Sequence, residues 1–445
     1  MELEDARPDA LVILEQLLPK LAKVPAAYRP RRQIVVRAGD LLEAWKRPAA
    51  DWLARWRGRS WPRWPQQALA FHELLQTRTD PVPVPLSPAD PAFLQYTGGT
   101  TGTPKGAVLS HANLLANVEQ VRLWLTCSGW RRPLRPGRER LVTALPLSHI
   151  FALTANLWVG LSIGSHNQLV PDPRNLRDLV RVLRRSRFTA ITGVNTLFDH
   201  LLRAPGFARL DFSHLGLTVA GGMPMHPTVA ERWQAVTGCP VIEGYGLTEA
   251  SPVVTLNPLD LERYNGSIGL PLPGTDCRLR RDGEDAPPGE AGELCVRGPQ
   301  VMQGYWNRPE ETAATFTADG WLRTGDIARM DADGFFYIVD RKKDMILVSG
   351  FNVYPSEIEA VVSQHPGVRE CAAVGVPDPD TGEAVMLFVV RQDPDLDESA
   401  LRAWCRERLT AYKRPRRIVF LDELPKSAIG KVLRRQLREA ARARI

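Results

Sequence analysis

An α/β protein with a large N-terminal domain and a small mixed C-terminal domain is the fold class the sequence predicts. Three observations point to it. From Asp90 a short apolar strand, a Gly-rich turn and a helical pattern follow one another, and the alternation continues downstream. After Leu256 the texture changes to short strands separated by Gly and Pro turns. A final basic segment beginning near Asp340 mixes helix and strand patterns over about a hundred residues, a common domain size.

The first residues, Leu3 to Ala22, read as an αβ unit. Residues 31 to 90 are rich in Arg, Trp and Pro, with five tryptophans between Trp45 and Trp64. This stretch is expected to be an irregular, partly buried lobe, although a Trp-rich basic segment can also lie on a membrane surface. Pro81-Val82-Pro83-Val84-Pro85 reads as an extended connector. Ala92 to Tyr96 is a predicted strand, and a helix begins at Asn113. Leu141 to Gly164 contains no formally charged residue and is long enough to span a membrane. Its Pro146, His149 and Asn156 favour a strand, a turn and a buried helix instead. Thr189 to Gly193 is a predicted strand, Pro227 to Val236 a helix, and Gly292 to Gly298 a strand. In the last segment Glu357 to Val362 is helical, Val385 to Val390 a strand and Leu401 to Leu409 helical. No internal repeat is evident.

The 445 residues are roughly three domains' worth of chain. Their 44% apolar and 24% charged residues exclude a collagen, a disulfide miniprotein and a mostly disordered chain. The net charge of +7 comes from scattered Arg and Lys residues. It does not imply a nucleic-acid partner. Six cysteines lie far apart without a CxxC pair, so they read as free buried thiols of a cytoplasmic protein. The acidic start, without a basic n-region, argues against a signal peptide.

Five segments carry chemistry. Thr97-Gly98-Gly99-Thr100-Thr101-Gly102-Thr103-Pro104-Lys105 follows a strand directly. Glycines let the backbone approach an anion, hydroxyls add donors and Lys105 adds a charge, so the loop points to phosphate binding. It is not a Walker A loop, because Gly rather than Ser or Thr follows Lys105. Gly244-Tyr245-Gly246-Leu247-Thr248-Glu249 offers an aromatic ring for a base and an acid for Mg2+, yet by itself reads equally as a turn. In Thr324-Gly325-Asp326 the carboxylate suits ribose hydroxyls, although a capping role explains it as well. Asp340-Arg341-Lys342-Lys343-Asp344 alone reads as a charged loop. Gly430-Lys431 alone reads as a solvated tail.

In this order the five segments resemble the adenylate-forming superfamily of acyl-CoA synthetases, luciferases and peptide-synthetase adenylation domains. The likeness runs from about Ala10 to Arg442 and includes TAITGVNTLF at Thr189 to Phe198 and IVDRKKDMILVSGFNVYP at Ile338 to Pro355. Within the superfamily the chain is most similar to bacterial long-chain fatty acyl-CoA ligases. The resemblance implies a large adenylate-forming domain, incomplete at its start, over residues 1–342, and a small mobile α+β domain over 343–445. It implies that a fatty carboxylate attacks the α-phosphate of ATP, giving acyl-AMP, and that coenzyme A then displaces AMP.

Carried over by motif, Thr97 to Lys105, with Gly98, Gly99, Thr101, Gly102 and Thr103, would hold the β- and γ-phosphates. Thr100 and Glu249 would hold Mg2+. Gly221 and Gly222 would line the adenine, Tyr245 would stack on it and Gly246 would sit near the acyl carbonyl. Asp326 and Arg341 would take the ribose hydroxyls. Lys431 would bridge the carboxylate and the α-phosphate. Lys343 would be the hinge, and Ser349-Gly350 would border the pantetheine tunnel. His149 would stand in the acyl pocket, walled by Leu145 to Leu157. Each methylene buried there is worth about 0.8 kcal/mol, so tunnel depth would set chain length.

Ser148 stands where an aromatic commonly precedes this histidine, and Ala220 where glycine is frequent. The family's opening stretch before the matched part is expected to be missing, which leaves an inactive paralogue that only binds nucleotide or a partner as an alternative. Fatty acyl-AMP ligase and medium-chain or aryl CoA ligase are the enzyme alternatives. A fatty acid is the expected substrate, with peripheral contact to lipid of the inner membrane and a homodimer both left open.

Overall fold

The computed structural model describes residues 2–58, 62–77, 79–80, 82–97, 104–127, 129–130, 133–281, 283–427 and 430–442. The chain forms two compact units. The first comprises residues 1–90, 94–107 and 305–309, and the second the remainder.

In the first unit, Ala10–Leu14, Arg32–Val36 and Leu69–Ala70 form a parallel three-stranded sheet in that order. Val35 packs with Leu18 and Leu21 on its covered face. Glu15 is buried at the end of the first strand. Arg55 donates to both of its oxygens at 2.7 and 2.8 Å, and Trp64 Nε1 donates at 2.7 Å. Burial alone would raise this carboxyl, but these donors outweigh it and hold it below its usual value. The expected irregular lobe is therefore corrected. Residues 31 to 90 contain two strands and the helices Arg47–Gly58 and Phe71–Gln76. Pro48 in the first turn and the Ala, Arg, Leu and Trp that follow suit a helix. Trp45, Trp52 and Trp56 are exposed rather than partly buried, and the rings of Trp52 and Trp56 stack with centroids 6.2 Å apart. Val82 to Pro85 form no helix or strand, as expected of a connector; Pro81 and Trp61 lie outside the described residues.

The second unit is built on a seven-stranded sheet. Its order is Leu270–Pro271, Val253–Leu256, Val241–Gly246, Leu217–Ala220, Ala190–Gly193, Arg140–Thr143 and His166–Leu169. The last five strands are parallel to one another, and the first two run antiparallel. Helices Leu176–Ser186, Asn195–Arg203 and Pro227–Thr237 cover one face through Leu179, Phe198, Leu201 and Trp233. Phe198 and Trp233 meet edge to face at 4.7 Å. The helix expected from Asn113 runs His111–Thr126, because Ser110 and Asn113 form a reciprocal capping box. Leu141 to Gly164 forms the end of a strand, a turn and then a helix whose Ala152–Trp158 part is π-helical. No helix among the described residues is long and apolar enough to cross a membrane.

A five-stranded antiparallel sheet follows: Glu284–Asp285, Asp276–Arg281, Gly292–Arg297, Leu322–Met330 and Phe336–Arg341. Another five-stranded sheet occupies the C-terminal part; its long hairpin joins the edge strand Val368–Asp378 to Gly382–Arg391, which also pairs with Ile346–Val348 and Arg417–Leu421. Helices Pro355–Val362 and Glu398–Arg408 bury Ile358, Val362, Leu401 and Cys405 against it. The helix Arg434–Arg442 adds Leu437 and Ala441 to a separate cluster around Phe388. The six cysteines are free, as expected, but Cys127 is exposed and Cys277 and Cys371 are half-buried, which corrects the expectation that all are buried.

Candidate active site

Strand ends supply several of the predicted site residues. Gly98 to Thr103, the centre of the phosphate-type loop and including Thr100, lies outside the described residues. Its flanks belong to the first unit: Thr97 closes the strand Pro91–Thr97 and Lys105 opens the strand Lys105–Ser110. Within that unit Lys105 Nζ lies 5.3 Å from the ring centre of Tyr305. The hydroxyl of Tyr96 donates to Asp5 at 2.7 Å.

The remaining predicted residues lie in the second unit. Gly221 follows the strand Leu217–Ala220. A Cβ there would stand 3.2 Å from the Gly244 carbonyl oxygen and 3.3 Å from the Phe151 ring, so a side chain at this turn would crowd the neighbouring strand. Gly222 has φ +77, the left-handed region. At Gly246 a Cβ would lie 2.3 Å from the Pro252 carbonyl oxygen. Glu249 sits half-buried in the turn Thr248–Ala250, and its carbonyl accepts the Met302 N–H at 2.8 Å.

Tyr245, Asp326 and Arg341 converge. The Tyr245 hydroxyl donates to Asp326 Oδ2 at 2.5 Å. Arg341 faces Asp326 across the antiparallel pair and brings Nε to 3.2 Å from Oδ1. Thr324 Oγ1 accepts the Asp326 N–H at 3.1 Å. Asp326 is only 6% exposed, so this carboxylate is pre-set with one phenol and one guanidinium. Burial, then the charge of Asp326, raises the Tyr245 phenol well above its ordinary value.

The tail loop reaches the same place. Gly430 has φ +82, and a Cβ on it would meet Thr196 Oγ1 at 2.6 Å, so the loop is seated on the helix Asn195–Arg203. The next residue, Lys431, is half-buried. Its N–H donates to Ser427 Oγ at 3.2 Å. Loss of water around its ammonium, and then the neighbouring Arg341, push Lys431 down to about 8, with Asp326 opposing. The half-buried His149 is lowered by burial first and then by the charge of Lys431, both of which favour its neutral form. Its ring Nδ1 accepts the Phe151 N–H at 3.3 Å. Lys431, Arg341, Asp326 and His149 thus share one electrostatic neighbourhood.

Lys343 lies at its edge. The residue as a whole is exposed, but partial loss of water at its ammonium and the nearby Arg341 push it to about 8. Ser349 and Gly350 form the exposed turn between the strands Ile346–Val348 and Phe351–Val353, both with positive φ. Sequence reasoning missed Arg434 and Arg438. Arg438 donates to Asp344 Oδ1 at 2.7 Å and to the Lys343 carbonyl at 3.3 Å, while Arg434 donates to both oxygens of Glu359 at 2.7 and 2.9 Å. Their four-residue spacing on one helix was the available signal.

The profile of the AMP-binding enzyme family matches residues 2–306, and that of the AMP-binding enzyme C-terminal domain matches residues 357–431. This chain belongs to the AMP-binding enzyme family. Over its full length it is 50% identical to a long-chain-fatty-acid–CoA ligase of Escherichia coli O6:H1, of which it covers 79%. Among solved structures, ATP-bound MatB from Rhodopseudomonas palustris matches with TM-score 0.80 and 30% identity, over 98% of this chain and 80% of that one. The anthranilate CoA ligase AuaEII in complex with anthranoyl-AMP matches with TM-score 0.84 and 27% identity, over 99% and 80%. The family fold has a large N-terminal domain followed by a small C-terminal one, in agreement with the α/β class read from the sequence.

Proposed function

We propose that this chain is an ATP-dependent long-chain fatty acid–CoA ligase. A fatty carboxylate oxygen attacks the α-phosphorus of ATP, the bond to the pyrophosphate oxygen breaks, and acyl-AMP forms. The sulfur of coenzyme A then attacks the acyl carbon and AMP leaves. The observation that carries the reading is the convergence of Lys431 with the Asp326–Arg341 pair and His149 in a family member. A cation held beside a buried carboxylate–guanidinium pair suits the joining of a carboxylate to a nucleotide α-phosphate, because it can stabilise the charge that develops between them.

In this reading Asp326 accepts the ribose hydroxyls with Arg341 beside it, and Tyr245 and the Gly221–Gly222 turn flank the adenine. Gly246 sits close to the acyl carbonyl. Lys431 draws the attacking carboxylate and the α-phosphate together and stabilises the charge between them. Burial and the charge of Lys431 both disfavour a charged His149, which would oppose the cation. Thr97 to Lys105 takes the outer phosphates. The donor set fits Mg2+, since the Glu249 carboxylate and a Thr hydroxyl are the hard oxygen donors this ion takes. Mg2+ is commonly held by one or two carboxylates together with substrate phosphates. Glu249, with Thr100, would hold it, and when bound it neutralises phosphate charge.

For thioester formation, residues 343–445 turn about Lys343 as one domain, withdrawing Lys431 and presenting Ser349-Gly350 to pantetheine. Peripheral contact with membrane lipid is supported by exposed Trp45, Trp52 and Trp56 on a segment that also carries Arg47 and Arg57.

Incubation with oleate, ATP, Mg2+ and coenzyme A tests the activity. Oleoyl-CoA, AMP and pyrophosphate formed in equal amounts are expected. ATP turnover that yields acyl-AMP but no thioester, or none with any chain length, contradicts it.

A further inference from the structure

Glu243 lies on the strand Val241–Gly246, two positions before Tyr245, and is 5% exposed. Its Oε1 accepts the Met225 N–H at 3.2 Å. Its Oε2 lies 2.7 Å from the Tyr264 hydroxyl oxygen, which also lies 2.9 Å from the Met225 carbonyl oxygen. A phenol carries one hydrogen and a carbonyl carries none. Both short contacts are hydrogen bonds only if the carboxyl supplies the second proton. Then Glu243 Oε2–H donates to Tyr264, Tyr264 O–H donates to the Met225 carbonyl, and the Met225 N–H donates back to Oε1. An ionised Glu243 leaves one of the two acceptors unmet in a buried place, which is costly.

From this closed ring we infer that Glu243 is a neutral carboxylic acid at physiological pH. It is a positioning residue that, through Tyr264 and Met225, fixes the 221–225 turn against the strand Val241–Gly246. For its effect on ATP the inference rests on the adenine-side reading above.

The surroundings agree. Burial pushes Glu243 up to about 8 against the lowering from the Tyr264 and Met225 hydrogen bonds, and no cation is among the groups that shift it. Tyr264 is raised further above its ordinary value, by burial and then Glu243, and keeps its proton. Tyr245, next on the same face of the strand, is taken by Asp326. His226, following Met225, is lowered by burial and feels Glu359, Asp199 and Glu370. From the neighbouring segment Asn257 donates to the Glu243 backbone carbonyl, not to its carboxyl. The turn has little slack, since Gly221 already abuts the Gly244 carbonyl.

The test pairs a spectrum with kinetics. The infrared difference between the full chain and Glu243→Gln should show a protonated-carboxyl band at pH 7 that fades above about pH 8. Glutamine can close the same ring, with its amide N–H donating to Tyr264 and its oxygen accepting from Met225. Glu243→Gln should therefore keep a low KM for ATP that does not rise between pH 7 and 9, beyond any change caused by Lys431, which both proteins share. Glu243→Ala and Tyr264→Phe should raise that KM about tenfold at pH 7 with kcat little changed. The inhibition constant of inorganic tripolyphosphate, which has no adenine, should stay fixed.

Absence of the band, or a Glu243→Gln KM as high as that of Glu243→Ala, overturns the inference. A band accompanied by an equal rise in the tripolyphosphate constant leaves the proton on Glu243 established and overturns the adenine-side reading instead. If Glu243→Ala fails to fold, Tyr264→Phe, which removes one oxygen, carries the comparison.

Discussion

The Tyr245–Asp326–Arg341 corner and the Lys426–Val432 loop are held in contrasting ways. In the corner every partner is a strand residue, Asp326 is buried, and its bonds to Tyr245 and Arg341 are already made. The loop is closed by the Lys426–Val432 bridge and by Ser427 N–H donating to the Lys431 carbonyl at 2.8 Å, and it meets the helix Asn195–Arg203 where Gly430 abuts Thr196. In the proposed two-step reaction the corner would stay in place and the loop would leave. A group needed in both half-reactions belongs on the sheet, whereas a charge needed only while phosphate is attacked can ride on a tail that docks and undocks.

Substitutions that separate the two regions sharpen this contrast. Asp326→Ala removes charge-assisted hydrogen bonds worth about 1.5–3 kcal/mol, so kcat/KM should fall about 10- to 100-fold in both half-reactions. Pyrophosphate exchange and thioester formation from supplied acyl-AMP measure the two; loss in only one would break the assignment. Glu249→Gln should raise the Mg2+ needed for exchange about tenfold, because a neutral amide is a poorer ligand for a hard cation. Gly430→Ala adds a Cβ at positive φ, costing about 1–2 kcal/mol, and crowds Thr196, so exchange should fall about tenfold while thioester formation holds.

The alkaline side provides a finer test. Lys431 is charged below about 8 and neutral above it. In free enzyme, kcat/KM for ATP in the adenylation step should therefore decline above about pH 8, a limb absent from thioester formation. Glu243 gives a stability counterpart. Its carboxyl is raised from 4.5 to about 8, so the folded state holds a proton that the unfolded chain has lost between those values. The stability it contributes is full below 4.5 and declines as pH rises to about 8. The melting temperature of Glu243→Gln should gain on that of the unaltered chain across this window, by a few degrees.

The order of the motifs, through the family resemblance, made the site legible in the sequence; taken singly, Asp326 reads equally as a cap, Arg341 as part of a charged loop and Lys431 as a solvated tail. Gly221 and Gly246 stand where a Cβ would crowd backbone oxygens, and Asp326 and Arg341 pair across two neighbouring strands. What was not legible depends on distance along the chain or on hydrogen-bond pattern. Glu243 and Tyr264 are 21 residues apart, and Asp344 and Arg438 are 94 apart. Neither pairing leaves a local period. The π-helical turn at Ala152–Trp158 uses apolar residues that fit an α-helix equally well. The 31–90 stretch was misread because frequent Pro and Arg hid an amphipathic helix beginning with Arg47-Pro48.

Lys431→Ala, assayed in both half-reactions on the same preparation, tests the central claim most directly. Removing a cation that stabilises the transition state should lower adenylation, read as ATP–pyrophosphate exchange, by about a thousandfold or more. Conversion of supplied oleoyl-AMP and coenzyme A to oleoyl-CoA should stay within about threefold, a difference under 1 kcal/mol. An equal loss in both half-reactions would contradict a tail that serves one step and withdraws for the other.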